Sequence, residues 1–302
     1  MFEHARTREF LDTLNSTNTR RSYELALAQF FGLCGKPPGR VKPADVVAFK
    51  QHLESGGRST STVLTYLSAV RSLFQYLTRA DYIPKDPTRA LKRQKPEAKP
   101  TRALSQPEIK KLLAAPDRNT KKGRRDRALI RFMYATGARV SEVLSVRDEN
   151  FHERGGHLYV DFRRKGGAWT KQAVWIPAKV RKALEAHAGR FGAWESGRVF
   201  DLTAEGVRYA LGKYAEQIAD QDKKEGKEQG KKKDKKKAAA LRITPHQLRA
   251  SCLTAMGERG ASLAQIQAQA GHASPTTTER YLDPERVAPI NAIAARKFNP
   301  MG

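Results

Sequence analysis

Apolar residues recur every three or four positions over most of the chain, and the period shortens to two in one short stretch. From Thr19 to Leu33, Tyr23, Leu27 and Phe30 or Phe31 share a helical face behind Ser16 and Thr17, and Gly32 and Gly35 are expected to close that helix. From Ser61 to Leu77 a second stripe places Val63, Leu67, Val70, Phe74 and Leu77 together. With Pro43 to Leu53 between them, three or four helices predict a small bundle over residues 1–91. Lys92 to Arg102 holds two prolines and no large apolar residue, which reads as a linker. A second unit, 103–302, opens with Ser105 and Glu108 in capping-box spacing. Its period switches to two at Leu158, Val160 and Phe162; a turn at Lys165-Gly166-Gly167 and a returning strand over Gln172 to Ile176 complete a hairpin. The expected fold is therefore mainly α with a small β-hairpin or sheet. No internal repeat is visible.

Charge changes the picture. The 302 residues carry 57 Lys and Arg against 31 Asp and Glu, a formal +26 with pI near 10.3. Nine Lys and three acids crowd Lys223 to Lys237, which reads as a solvated, flexible insertion with a local excess of six, leaving +20 on the rest. A chain this basic most often binds a polyanion, because each cation placed on a phosphate releases counterions. Arg20, Arg21, Arg58, Arg71 and Arg79 decorate the bundle, as suits DNA or any solvated helix face. No run of ~18 apolar residues and no apolar leader occur, so a soluble cytoplasmic protein without a membrane partner is expected. Cys34 and Cys252 stand in unremarkable apolar contexts, read as thiols, and suggest neither disulfide nor metal. No His/Cys or acidic metal cluster and no phosphate-binding glycine loop appears, so no metal or cofactor is expected.

Three segments could carry chemistry. In Thr136 to Glu142, Gly137 can end a helix in a left-handed conformation, so that Arg139 falls in the first turn of the next, beside free N–H groups suited to a phosphate. Alone, that pattern more often describes a surface Arg. In Thr244 to Arg249, Thr244 is a fitting N-cap, Pro245 a fitting first residue and Gln247 a capping-box partner. His246 and Arg249 then share a face at the positive end of the helix; the plain alternative is a buried His with a surface Arg. In Gly271 to Leu282, Tyr281 follows a Gly-His turn by nine residues, whereas a lone Tyr is ordinarily a packing residue.

Taken in order, Arg139, Lys165, His246 with Arg249, His272 and Tyr281 resemble the pattern of the tyrosine recombinases, the phage integrase family, and its compact Xer-type members above all. Ala250 stands where a second His is common, Ala270 where Leu is frequent, and the Lys-rich insertion is unusual. The resemblance covers nearly the whole chain, implying a helical core DNA-binding domain over 1–91 and a catalytic domain over 103–302. No separate arm-binding domain is recognisable, so a simple core site is expected.

The resemblance also implies chemistry. Arg139 and Arg249 would grip the non-bridging oxygens of a phosphodiester through paired donors. His246 would assist Tyr281, whose phenol is a poor nucleophile unaided, and His272 would donate to the phosphate. Lys165 would protonate the departing 5′ oxygen, with Lys171 as the alternative. Lys171 also joins Arg20, Arg21, Arg58 and Arg71 as a candidate DNA contact. The expected product is a 3′-phosphotyrosyl link that a 5′-hydroxyl can reverse, without ATP or metal. Type IB topoisomerase-like relaxation and a catalytically silent DNA-binding protein are the alternatives. A last helix from Asp283 to about Arg296, with Val287, Ile290 and Ile293 on one face, would link a homotetramer, or a heterotetramer with a related recombinase, around two double-stranded DNA sites in the nucleoid.

Overall fold

A computed structural model describes residues 5–91, 101–162, 173–189, 197–228, 242–271 and 278. The chain divides into two compact units, Met1–Lys99 and Pro100–Gly302.

Among the described residues the first unit has four α-helices: α1 (Ala5–Asp12), α2 (Thr17–Cys34), α3 (Pro43–Ser55) and α4 (Thr60–Arg79). Ser16 and Ser59 cap α2 and α4 by accepting from the N–H groups of Thr19 and Thr62, satisfying donors that the first turn leaves open. Gly35, at φ +61°, stops α2 and donates its N–H to Phe31 O; Gly32, expected to share that task, lies inside the helix. The core centres on Phe30, with the rings of Phe31, Phe49 and Phe74 edge-on at 5.1, 5.2 and 6.0 Å. Val63, Val70, Phe74 and Leu77 are buried as their spacing predicts, while Leu67 is only partly buried and Tyr66, Ala69 and Leu73 widen the face.

In the second unit, α5 (Gln106–Ala114) begins with the expected Ser105–Glu108 capping box, and Glu108 also takes two hydrogen bonds from Arg102, at 2.8 and 3.2 Å. The central helix α6 (Lys121–Thr136) buries Leu129, Ile130, Phe132 and Met133, and α7 (Val140–Ser145) follows directly. The sheet has three antiparallel strands in the order β1 (Phe151–Arg154), β2 (His157–Val160), β3 (Val174–Ile176). β2 and β3 pair antiparallel as predicted, with Leu158, Val160 and Phe162 buried and Leu158 opposite Ile176, while the predicted turn at Lys165-Gly166-Gly167 lies outside the described residues. β1 was not foreseen: its residues are mostly exposed and carry no alternation, although Gly155 and Gly156, both at positive φ, make the two-residue turn that pairs Arg154 with His157. Phe132 gathers Phe151, Phe162 and Phe200 within 6.2 Å, joining α6 to the sheet. Helices α8 (Ala178–Ala188), α9 (Ala204–Glu228), α10 (Pro245–Glu258) and α11 (Leu263–Ala270) follow among the described residues.

The Lys-rich segment departs from expectation at its start, since α9 runs helical through Glu228. Its inner half is anchored by buried Val207, Leu211 and Ile218, and Lys and Glu are good helix formers that let the helix propagate outward. An ion pair between Lys111 and Asp222 ties that outer stretch to α5, and the remainder of the segment lies outside the described residues.

Candidate active site

The end of α6 sets the first catalytic candidate. Gly137 adopts φ +63° and donates its N–H to Met133 O at 3.0 Å, ending the helix as foreseen. Two residues on, Arg139 is the N-cap of α7 rather than part of its first turn. Its backbone N–H donates to Glu142 Oε2 at 2.7 Å and its Nη1 to Glu142 Oε1 at 2.8 Å, while the Glu142 carboxylate is itself 4% exposed. One buried carboxylate therefore aims both the backbone and the side chain of Arg139. Spacing shows Glu142 as an N3 acid, but its buried grip on the guanidinium comes from the packing of α7.

Helix α10 supplies the other two described candidates. Thr244 caps it, Pro245 opens it, and Gln247 closes the capping box by accepting from Thr244 N at 3.0 Å. The isolated motif left open a buried His beside a surface Arg; the fold has the reverse. His246 is exposed, and Arg249 is 2% exposed, with Nη1 donating to Gly137 O at 2.5 Å and Nη2 to Ala270 O at 2.8 Å. The Arg249 guanidinium is thus held by the carbonyls that finish α6 and α11. Partial desolvation, followed by the like charges of Arg249 and Arg139, pushes the His246 imidazole below its ordinary value of 6.5. Arg139, His246 and Arg249 accordingly share one electrostatic neighbourhood, and the imidazole is neutral at pH 7.

Several side chains that sequence did not single out hold this corner together. Thr136 Oγ1 donates to Phe132 O and accepts from Ala138 N, and Gln269 Nε2 donates to Thr136 O at 3.0 Å, tying α11 to the end of α6. Ser251 Oγ accepts from Leu104 N and donates to Gln247 O. Cys252 is a free thiol, as expected; burial pushes its pKa up to about 12, and its Sγ lies against Gly137. Gly271, at φ +60°, ends α11 immediately before His272.

Lys165, Lys171, His272 and Tyr281 lie outside the described residues. Of the candidate DNA contacts, Arg20 pairs with Asp12 at 2.5 Å, and half-buried Arg71 donates to Leu91 O at 2.7 Å, tethering the end of its own unit. Arg21 and Arg58 are exposed. Among the described residues no group of three or more His, Cys, Asp or Glu converges as a metal site, and no helix is long and apolar enough to cross a membrane.

Comparison with known proteins adds an independent line. The model of the phage integrase family matches residues 102–286, and that of the phage integrase N-terminal SAM-like domain matches residues 8–81. Tyrosine recombinase XerD of Listeria monocytogenes serotype 4b (strain F2365) is 29% identical over 282 residues, 88% of each chain. XerD of Staphylococcus aureus (strain Mu50 / ATCC 700699) is 31% identical over 230 residues, 76% of this chain and 74% of that one. Among solved structures, XerH site-specific recombinase bound to difH substrate superposes with a TM-score of 0.62 at 22% identity, covering 91% of this chain and 78% of that one. The Tn1549 transposon integrase in complex with transposon right end DNA gives 0.68 at 16% identity, covering 96% and 98%. At such identities the structures share the fold.

Proposed function

The chain belongs to the phage integrase family and is a site-specific tyrosine recombinase, and from that premise we propose that Arg139, Lys165, His246, Arg249, His272 and Tyr281 cut and rejoin double-stranded DNA. The family match over 102–286 includes all six positions. The observation that carries the reading is Arg249, a guanidinium held inside the fold by two backbone carbonyls beside Arg139 and a neutral His246.

A phosphodiester resists attack because its oxygens are anionic and its transition state more so, and donors fixed in advance stabilise that added charge without reorganising. Arg249 is fixed by Gly137 and Ala270, and Arg139 by Glu142. The Tyr281 phenol attacks phosphorus while His246, neutral, takes up the phenolic proton. The 5′ oxygen leaves as Lys165 delivers a proton to it, and His272 donates a hydrogen bond to the phosphate. One phosphodiester is exchanged for one phosphotyrosyl ester, so a 5′-hydroxyl from another strand reverses the step with no net loss of ester bonds. The N-terminal bundle, residues 1–91, would hold the duplex through Arg21 and Arg58. The relatives named above are recombinases and integrases, which gives the topoisomerase and silent-binder alternatives no support.

A nicked suicide duplex bearing the recombination site tests the reading. Wild-type protein should be trapped covalently, and Tyr281→Phe should lose the adduct while still shifting the DNA in a gel. Absence of adduct on a duplex shown to be bound would overturn it. A homotetramer, or a heterotetramer with a related recombinase, joined by the segment after Asp283 is the assembly we assign, acting in the cytoplasm on the nucleoid. Co-capture of two differently labelled duplexes, lost on removing residues 286–302, is the expected result.

A further inference from the structure

Away from the arginines of the active site, α5, α6, α8 and the end of α10 line an open cavity of about 770 Å³. Eight of its fifteen lining residues are Lys or Arg and none is Asp or Glu. Arg124, Arg127 and Arg131 follow one another down α6 at spacings of three and four, so their side chains stack along one wall. Lys179 and Lys182 face them from α8, and Arg259 closes the end. Ile109, Leu113 and Ala183 give the cavity an apolar floor, with half-buried Tyr134 beside them.

Arg124, Arg127 and Arg131 are partly buried, so their like charges repel, while Lys110, Arg118, Lys179, Lys182 and Arg259 stand exposed around them. Several arginines elsewhere in this unit are neutralised: Arg125 by Asp126, Arg139 by Glu142, Arg181 by Glu153 and Glu185. Among the described residues none of the eight makes an ion pair. Arg127 and Arg124 donate only to backbone carbonyls, Leu113 O and Asn119 O, and Arg131 Nε is buried with no hydrogen-bond partner. Burial and neighbouring guanidiniums lower the Arg127 and Arg131 pKa values, as expected of uncompensated charge. Among the described residues the cleft holds a multivalent positive field and no carboxylate lines it.

We infer that this cavity is a second anion site, separate from the catalytic arginines, which takes a compact ligand bearing several phosphates, such as a nucleoside triphosphate or a short condensed phosphate. The volume is that of a small-molecule pocket, and the open, concave cleft lets a compact polyanion meet cations on both walls at once. A duplex instead presents its phosphates on a convex rod. The apolar floor beside Tyr134 can seat a ligand's non-phosphate portion, and phosphate oxygens match guanidinium pairs. A site of this kind would make the recombinase responsive to a small phosphorylated metabolite, although its chemistry consumes none.

Titration of full-length protein with inorganic tripolyphosphate, followed by calorimetry, tests this. One equivalent should bind at least tenfold more tightly than orthophosphate. The double variant Arg127→Gln/Arg131→Gln should weaken binding at least tenfold, and so should Lys179→Gln/Lys182→Gln on the opposite wall, whereas Arg139→Gln should leave it within twofold. Arg127→Gln/Arg131→Gln relieves repulsion between partly buried charges, so its unliganded thermal midpoint should equal or exceed that of wild type, and replacing the exposed Lys179 and Lys182 should leave it unchanged. Retained binding in both double variants, or loss in Arg139→Gln, would overturn the inference. So would an equal loss of affinity for a non-specific duplex, which would assign the cavity to nucleic acid.

Discussion

Replacing Gly137 by Ala probes the corner where fold and chemistry meet. Gly137 has φ +63°, a conformation that costs an L-residue about 1–2 kcal/mol. A Cβ there would lie 3.2 Å from Cys252 Sγ and 3.5 Å from both Cys252 Cβ and Leu253 Cδ2. Cys252 and Leu253 are buried in packed surroundings, so giving way by a few tenths of an ångström should add about 0.5–1 kcal/mol. The variant should therefore lose about 1.5–3 kcal/mol. All three tryptophans, Trp169, Trp175 and Trp194, fall in the second unit, so urea unfolding followed by tryptophan emission reports that unit alone. In a Cys252→Ala background the cost should shrink by about 0.5–1 kcal/mol, because the sulfur is gone while the backbone penalty stays. Activity should suffer beyond stability, since Gly137 O accepts from Arg249 and a small shift there misplaces a phosphate ligand; cleavage of bound suicide DNA should slow at least tenfold. A stability loss below about 0.5 kcal/mol, or one unchanged by removing the sulfur, would refute this account of the corner.

Other consequences follow from single contacts. Glu142→Gln should free the Arg139 guanidinium and lower the single-turnover cleavage rate by about ten- to a hundredfold while DNA affinity changes less than threefold; an equal loss in both would mean that Glu142 serves only folding. Tyr214→Phe removes the hydroxyl that donates to buried Asp126 Oδ2 at 2.9 Å, and should cost about 1–3 kcal/mol by the same fluorescence assay. Burial, and then Asp126, raise the Tyr214 phenol far above its usual range, so the proton stays in place to donate. The His246 pKa is lowered, so the neutral base persists below pH 6.5 and cleavage should fall only as pH drops further. Arg139→Gln removes one repelling charge and should move the His246 titration of the DNA-free protein, followed by NMR, upward; a wild-type imidazole titrating above 6.5 without DNA would contradict the assignment.

Short-range features were legible because interactions a few residues apart decide them. The caps at Ser16, Ser105 and Thr244, the left-handed stops at Gly35 and Gly137, and the alternation of Leu158, Val160 and Phe162 need only neighbouring atoms and the side on which apolar groups fall. β1 escaped because its residues are mostly exposed, leaving no period to read, even though its Gly155-Gly156 turn is a local signal. The length of α9 escaped because composition registers charge repulsion but not the buried half that seeds the helix.

By itself the sequence determined the elements and the order of the reactive residue types, since propensity, periodicity and spacing are properties of the chain. Their environment belonged to the tertiary structure. Arg249 is buried by carbonyls 112 and 21 positions away, so no window of sequence could show that it, and not His246, lies inside. The thiol of Cys252 presses on Gly137 only because α10 packs on α6. The cationic cavity exists only where four separate elements place their charges face to face. Electrostatics and packing act through space, and folding alone sets those distances.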